Sequence, residues 1–506
     1  MTLEVGDRVS FGAAIEAADL CMRAGASSIS WMGSGTKAPS REGRAPRVAG
    51  GLTSLQQHVV DEGPAAEGRS VRVLGVDVAA LTHSGAAAAP PKAVRVRGRP
   101  AGATATLVEM GPPSNTPDPP PPVRADRPSP AGTASSEASG RAIDVALAWL
   151  AAHQSPDGGW EAQGFADWCR LKRVESPTLD GRGRAVTDVG VTGLALLAFL
   201  GAGYTNRSDD PNGFGKVVAG GLRYLKNVQD AEGCFGPRAT TKFVYPHAIA
   251  SVAMLEAYAR TRSAVYKNPA QKGLDWTALA RNPDLAWRYG VQPGDNDTSI
   301  TGWMALGLFT ARLVAEEDRA ARKMASLIVD DEAFKGIESW IAKATEPETG
   351  RVGYISPGTG SARYAEMVDK FPAEKSEAMT AIGVLLRLLS GEDPAKSEPV
   401  RKGVALIAAL PPVWNPVDGS IDLYYWHAAS LAMAAVGGPL GESWRRDLEK
   451  ALISSQRTDG DACGAKGSWD ALDPWGTEGG RVYTTAIACL CLEAPARAAR
   501  FMGRGK

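Results

Sequence analysis

The sequence predicts an all-α protein: an α/α toroid of six helix pairs over residues 141–506, behind a disordered Ala/Gly/Pro/Arg-rich leader and linker over residues 1–140. Three observations predict it. Helical periodicity broken by Gly-rich turns starts near Arg141 and continues to the C-terminal region. Within that region one pattern recurs: an amphipathic helix, a Gln/Gly/aromatic turn, then a helix that is small and apolar nearly all round. The first 140 residues lack this texture, holding Phe11 and Trp31 as their only aromatics.

Taken in order, the leader is rich in Ala, Gly, Pro, Arg and Ser and cannot bury enough apolar surface to offset its chain entropy. Pro117 to Pro122 reads as an extended polyproline linker, a short strand is expected around Val71 to Val78, and Met110 is a second candidate start. The first helical unit reads Ala146-Leu147-Ala148-Trp149-Leu150, then Gln154 to Trp160, then an inner helix from Val189 to Leu197. The second reads Leu222 to Leu225, Gln229 to Gly236, then Ala248 to Leu255. Three weaker copies place inner helices at Ile300 to Leu308, Ala378 to Leu385 and Tyr424 to Leu431. The last reads Leu448 to Leu452, Gln456 to Gly460 with Gly467-Ser468-Trp469, then Tyr483 to Leu490. First helices carry Lys, Arg and Asp on one side and suit an outer ring; second helices suit an inner ring packed on both sides. The inner helices open at Asp188, His247, Asp297, Glu377, Asp422 and Arg481, so six N-termini gather at one mouth and favour acidic side chains there.

Charge and composition narrow the function. Lys+Arg and Asp+Glu each number 56, which gives no basic field for nucleic acid. Cys21, Cys169, Cys234, Cys463, Cys489 and Cys491 form no CxxC pair and no regular framework, which predicts reduced thiols in a cytoplasmic protein. Residues 1–7 do not read as a signal peptide, and no apolar run is long enough for a transmembrane helix; peripheral membrane contact stays open.

Gln154…Gly158-Gly159-Trp160, Gln229…Gly233…Phe235-Gly236 and Gln456…Gly460…Gly467-Ser468-Trp469 resemble the repeats of the terpene cyclase and protein prenyltransferase superfamily. Gly353 to Gly358, Tyr424-Tyr425-Trp426 and Gly480 to Ala486 are similar to bacterial squalene-cyclase-like proteins with prenyltransferase/squalene oxidase repeats. The resemblance implies a terpenoid cyclase/prenyltransferase-like barrel that binds an apolar isoprenoid, without a cofactor. It also implies an acid at the head of the third inner helix, in an Asp-x-Asp-Asp-Thr segment. Here that segment reads Gly294-Asp295-Asn296-Asp297-Thr298, with an amide where the proton donor belongs. Asp295 or Asp297 takes over after a one-residue shift, or Asp297 caps its helix and Asp295 sits on the loop. Trp303, Tyr424, Tyr425, Trp426 and Tyr483 are candidate aromatic walls for carbocations or, alternatively, barrel packing.

Other chemistries are weighed beside this one. Asp461-Ala462-Cys463 has an Asp-x-Cys spacing known from zinc-dependent prenyltransferases, but no His follows it. His247 and His427 stand at inner-helix heads as substrate- or metal-binding groups or as buried, capping histidines. No thioester segment is present. Glu377 facing Asp297 or Asp188 would form a carboxylate pair suited to acid/base work. Residues 354–371, with Arg363, Tyr364 and Lys370, read as a lid over the mouth or as a surface excursion. The functional expectations are therefore an isoprenoid-binding, cyclase-like barrel, a peptide- or protein-binding toroid without catalysis, or an acid/base enzyme at the mouth.

Overall fold

The computed structural model describes residues 2–6, 30–33, 70–73, 136–169, 179–321, 326–361, 363–460 and 463–503. Two compact units divide the chain, Met1–Thr116 and Pro117–Lys506. In the first, β1 (Thr2–Gly6) is flanked by β2 (Ser30–Gly33), parallel, and β3 (Ser70–Val73), antiparallel. The strand expected near Val71 thus lies at Ser70–Val73. The polyproline run and Met110 lie outside the described residues.

Among its described residues the second unit has twelve main helices. The outer ones are α1 (Glu137–Ala152), α3 (Phe214–Val228), α5 (Ala264–Ala280), α7 (Asp331–Ala344), α9 (Glu398–Ala409) and α11 (Gly438–Ser455). The inner ones are α2 (Asp188–Gly201), α4 (Val244–Thr261), α6 (Thr298–Ala320), α8 (Ala378–Leu389), α10 (Leu423–Val436) and α12 (Gly476–Phe501). Each inner helix packs on the next round a closed ring, and α12 returns to α2. α1 lies chiefly against α12, so the first helix covers the last. The burial follows the sequence pattern. On α3 the buried residues Phe214, Val217, Val218, Leu222 and Leu225 form one stripe, whereas on α2 every residue from Val189 to Leu200 is buried.

α1 starts a few residues earlier than its apolar pattern, because Ser136 Oγ accepts from Ser139 N–H at 3.1 Å and caps it. The Gln turns act as brackets between neighbouring pairs. Gln154 Nε2 donates to Gly158 O and Val217 O, both at 2.8 Å, and Trp160 Nε1 donates to Leu150 O at 2.8 Å. Gln229 spans Gly233 O and Pro269 O in the same way, and Gln456 spans Gly467 O and Ala142 O, joining the last turn to the first helix. Gly158 sits at φ +99°, where a Cβ would lie 2.4 Å from Gly220 O, so this turn excludes other residues.

The thiol expectation is corrected at two positions. Cys169 and Cys463 form a disulfide with a sequence separation of 294, joining the first turn region to the last. The residues are far apart in sequence and meet only because the ring closes, so spacing carried no signal. Cys463 is therefore not a thiolate ligand, and Asp461 lies outside the described residues. Cys234, Cys489 and Cys491 are buried and stand outside this bond; Cys21 lies outside the described residues. No described helix is long and apolar enough to cross a membrane.

Candidate functional site

At the head of α6, Asp297 is the N-cap: its Oδ1 accepts from Ile300 N–H at 2.8 Å. It is more than a cap. Its side chain is fully buried, Oδ2 accepts from Tyr354 Oη at 3.3 Å, and Arg288 Nε lies 4.0 Å away. Burial pushes its carboxyl up to about 7, against the Ile300 hydrogen bond and the Arg288 charge. A large fraction of Asp297 is therefore a neutral acid near pH 7.

The neighbours of Asp297 divide the work. Asp295 is half-exposed and ion-pairs with Arg288. Asn296 is buried, and its Oδ1 accepts from Ala286 N–H at 2.9 Å and Asn282 Nδ2 at 3.1 Å. The amide thus pegs the loop that presents Asp297. Tyr289 and Tyr354 share a hydrogen bond between their hydroxyls, and the Tyr245 ring lies 6.0 Å from that of Tyr289. Across the mouth Tyr424 Oη pairs with Ser299 Oγ at 2.8 Å. Its ring stacks 6.4 Å from Trp303 and meets Trp475 edge-on. Burial pushes the Tyr245 and Tyr289 hydroxyls up, so both remain protonated donors.

Of the sequence candidates, the structure gathers Asp297, Trp303 and Tyr424 here, with Asp295 at the edge. The others serve separate networks. Glu377 Oε1 receives Arg351 Nη2 at 2.6 Å and Nε at 2.9 Å, and Oε2 accepts from Thr380 Oγ1 at 2.6 Å, so Glu377 is committed to these partners rather than to Asp297. Trp426 is fully buried against Trp414. Tyr483 donates to Asp473 Oδ2 at 3.1 Å. His247 Nδ1 accepts from Phe235 N–H at 3.1 Å and Nε2 faces Thr277 Oγ1 at 3.2 Å; burial pushes it down to about 3, so it is a neutral bracket for its turn. Asp188 Oδ1 accepts from Ala162 N–H at 2.8 Å, and burial pushes it up to about 7.

A regularity emerges that residue types alone did not show. Acidic helix heads draw arginines from the loops: Arg288 for Asp297, Arg351 for Glu377 and Arg363 for Asp422. Just past the break in α12 at Gly480, where φ is +64°, the scheme is inverted, with buried Arg481 held by Asp180 and by Asp470 at 2.7 Å. Asp473 escaped the sequence reading, because nothing marks it among the acids of its loop; burial and the Asp422 charge push it up to about 7.

Trp303 stacks on His427 at 5.7 Å, and a cavity beneath them measures about 20 Å³, lined also by Leu306, Leu431, Glu256 and Arg497. Burial pushes His427 down to about 3. A second cavity of about 220 Å³ lies at the rim beside Arg351, Glu377, Ser361 and Ser376. Residues 354–371 cross the mouth: Tyr354 reaches Asp297, Arg363 reaches Asp422, and Tyr364 packs edge-on against Trp475 at 5.6 Å with Lys242 Nζ 3.8 Å over its ring. Among the described residues no group of His, Cys, Asp and Glu is arranged to hold a metal ion.

No family model matches the chain, and no curated protein matches it. Solved structures similar to it include an inactive variant of the α-1,6-mannanase GH76A of Salegentibacter sp. HEL1_6, in complex with α-1,6-mannotriose. It has 11% identity and a TM-score of 0.46, covering 72% of this chain and 100% of that one. Another is a variant of the type II terpene cyclase MstE from Scytonema in complex with merosterolic acid A. It has 13% identity and a TM-score of 0.43, covering 72% and 99%. A third, an α-amylase from Clostridium perfringens, has 15% identity and a TM-score of 0.43, covering 70% and 97%.

Proposed function

We propose that the barrel mouth is an acid site of the terpene-cyclase type, with Asp297 as proton donor to an alkene of an isoprenoid-like ligand. The observation that carries this reading is the Asp297 carboxyl itself, fully buried, raised to about 7 and hydrogen-bonded by the Tyr354 hydroxyl. In the first step the Asp297 O–H bond breaks and a C–H bond forms at the less substituted alkene carbon. The positive charge is left on the more substituted carbon, and the carboxylate formed is held by Ile300 N–H and Arg288. Tyr424, Trp475 and Trp303 offer ring faces to the cation. Loss of a proton from carbon to the Asp297 carboxylate closes the cycle with no net change in composition. Arg288 and Tyr354 orient the acid, Asp295 holds Arg288, and Glu377 with Arg351 fixes the base of the covering segment. The repeat spelling of the Gln turns agrees with a squalene-cyclase-like origin.

A second reading, a toroid that binds a ligand or peptide without turnover, is favoured by the small space beneath Trp303 and His427. A cavity of about 20 Å³ holds one water, whereas ligand sites run to roughly 300–1,000 Å³. The first reading therefore needs residues 354–371 to move aside. Incubating the protein with farnesyl, geranylgeranyl and squalene-type substrates tests both. Cyclised product that disappears in Asp297→Asn supports the acid site. Saturable binding without product, unchanged in that variant, supports the second reading and removes the first.

A further inference from the structure

We propose that Asp422 is a guanidinium-binding site at the head of α10, that Arg363 occupies it, and that this occupancy latches residues 354–371 over the mouth. The inference rests on the Asp297 reading only for what the latch covers. Most of the segment is exposed, and its one regular element is a single helical turn, Ala365–Met367. Yet the Arg363 side chain is 4% exposed, and its Nη2 lies 2.6 Å from Asp422 Oδ2, on a side chain 1% exposed. Nε donates to Phe371 O at 3.2 Å, which ties the far end of the segment to the same anchor.

A buried charge pair is a poor way to gain stability, since apolar residues of similar volume do as well or better. A charge pair that pins an otherwise exposed segment instead gives one defined closed position. Asp422 Oδ1 is fixed by Tyr425 N–H at 2.9 Å, so Oδ2 faces the ligand.

Arg363 is thus a tethered resident ligand, and the ligand class is a guanidinium group, on a peptide arginine or a small alkylguanidine. A tether supplies it at an effective concentration of about millimolar, so a competitor must exceed that or bring further contacts. When Arg363 leaves, Tyr354 and Tyr364 lose the anchor between them, and the cover over Asp297 is released.

The test uses full-length protein and amide hydrogen exchange read by mass spectrometry. Arg363→Ala should speed exchange across 354–371 by on the order of a hundredfold and leave α10 and α12 protected. Millimolar ethylguanidinium chloride should restore protection in that variant, while equal sodium chloride should not. Asp422→Asn, with Arg363 intact, should open the segment without rescue. Unchanged exchange in Arg363→Ala, rescue by salt alone, or protection lost equally from α10 and α12 would each overturn the proposal. These readings do not depend on turnover, so the latch and the acid at Asp297 can fail separately.

Discussion

Asp297→Asn exchanges a buried titratable oxygen for an amide of the same shape. The amide oxygen still accepts from Ile300 N–H, so the cap of α6 survives. What is lost is the proton equilibrium. The folded carboxyl lies at about 7 against 3.8 for an ordinary aspartate. The native state therefore binds the extra proton, and stability present below pH 3.8 is lost as pH rises through 7. At about 1.4 kcal/mol per pH unit the full shift amounts to about 4 kcal/mol, of which about 2–3 kcal/mol falls between pH 5 and pH 8. The asparagine variant has no such slope. Urea unfolding of both proteins at several pH values should therefore show Asp297→Asn gaining on the parent by about 2–3 kcal/mol from pH 5 to pH 8. Parallel stability curves would refute the claim that burial governs this carboxyl. A variant that loses relative stability at high pH would show that Arg288 dominates instead.

Further outcomes follow from the same geometry. Asn296→Asp, which restores the acid spelling of the resembling family, should lower stability above neutral pH by about 1–3 kcal/mol in urea titrations, because it buries a charge between Asp295 and Asp297. It should not raise turnover, since its side chain stays tied to Ala286 and Asn282. Reducing the Cys169–Cys463 bond should lower unfolding free energy by about 2–5 kcal/mol, read from chemical unfolding with and without a reductant. Trp303→Ala should cost about 3–5 kcal/mol and open the lumen beneath Tyr424, so that an apolar fluorescent dye binds the variant more tightly than the parent.

The legible part of the fold was the part written in periodicity. Small, apolar inner helices from Val189 onward and the Gln154, Gln229 and Gln456 turns announce themselves, because each residue's role is fixed within its own unit and its next neighbour. The position of Asp297 was legible for the same reason. Its environment was not: Tyr354 and Tyr289 reach it from separate turns, and a pKa near 7 is a property of that assembly. Arg288, Arg351 and Arg363 looked like ordinary loop charges until the helix heads beside them were placed. Glu377 had the right type and station for a carboxylate pair, yet the nearer Arg351 claims it.

The Cys169–Cys463 bond has one more consequence. It makes the stretch from 169 to 463 a covalent circle threaded through five of the six inner helices. A protease that cuts once within residues 354–371 would leave two fragments that still travel as a single species until reduced. The rim could thus be cleaved, or split and fused to another protein, without the ring coming apart into separate chains.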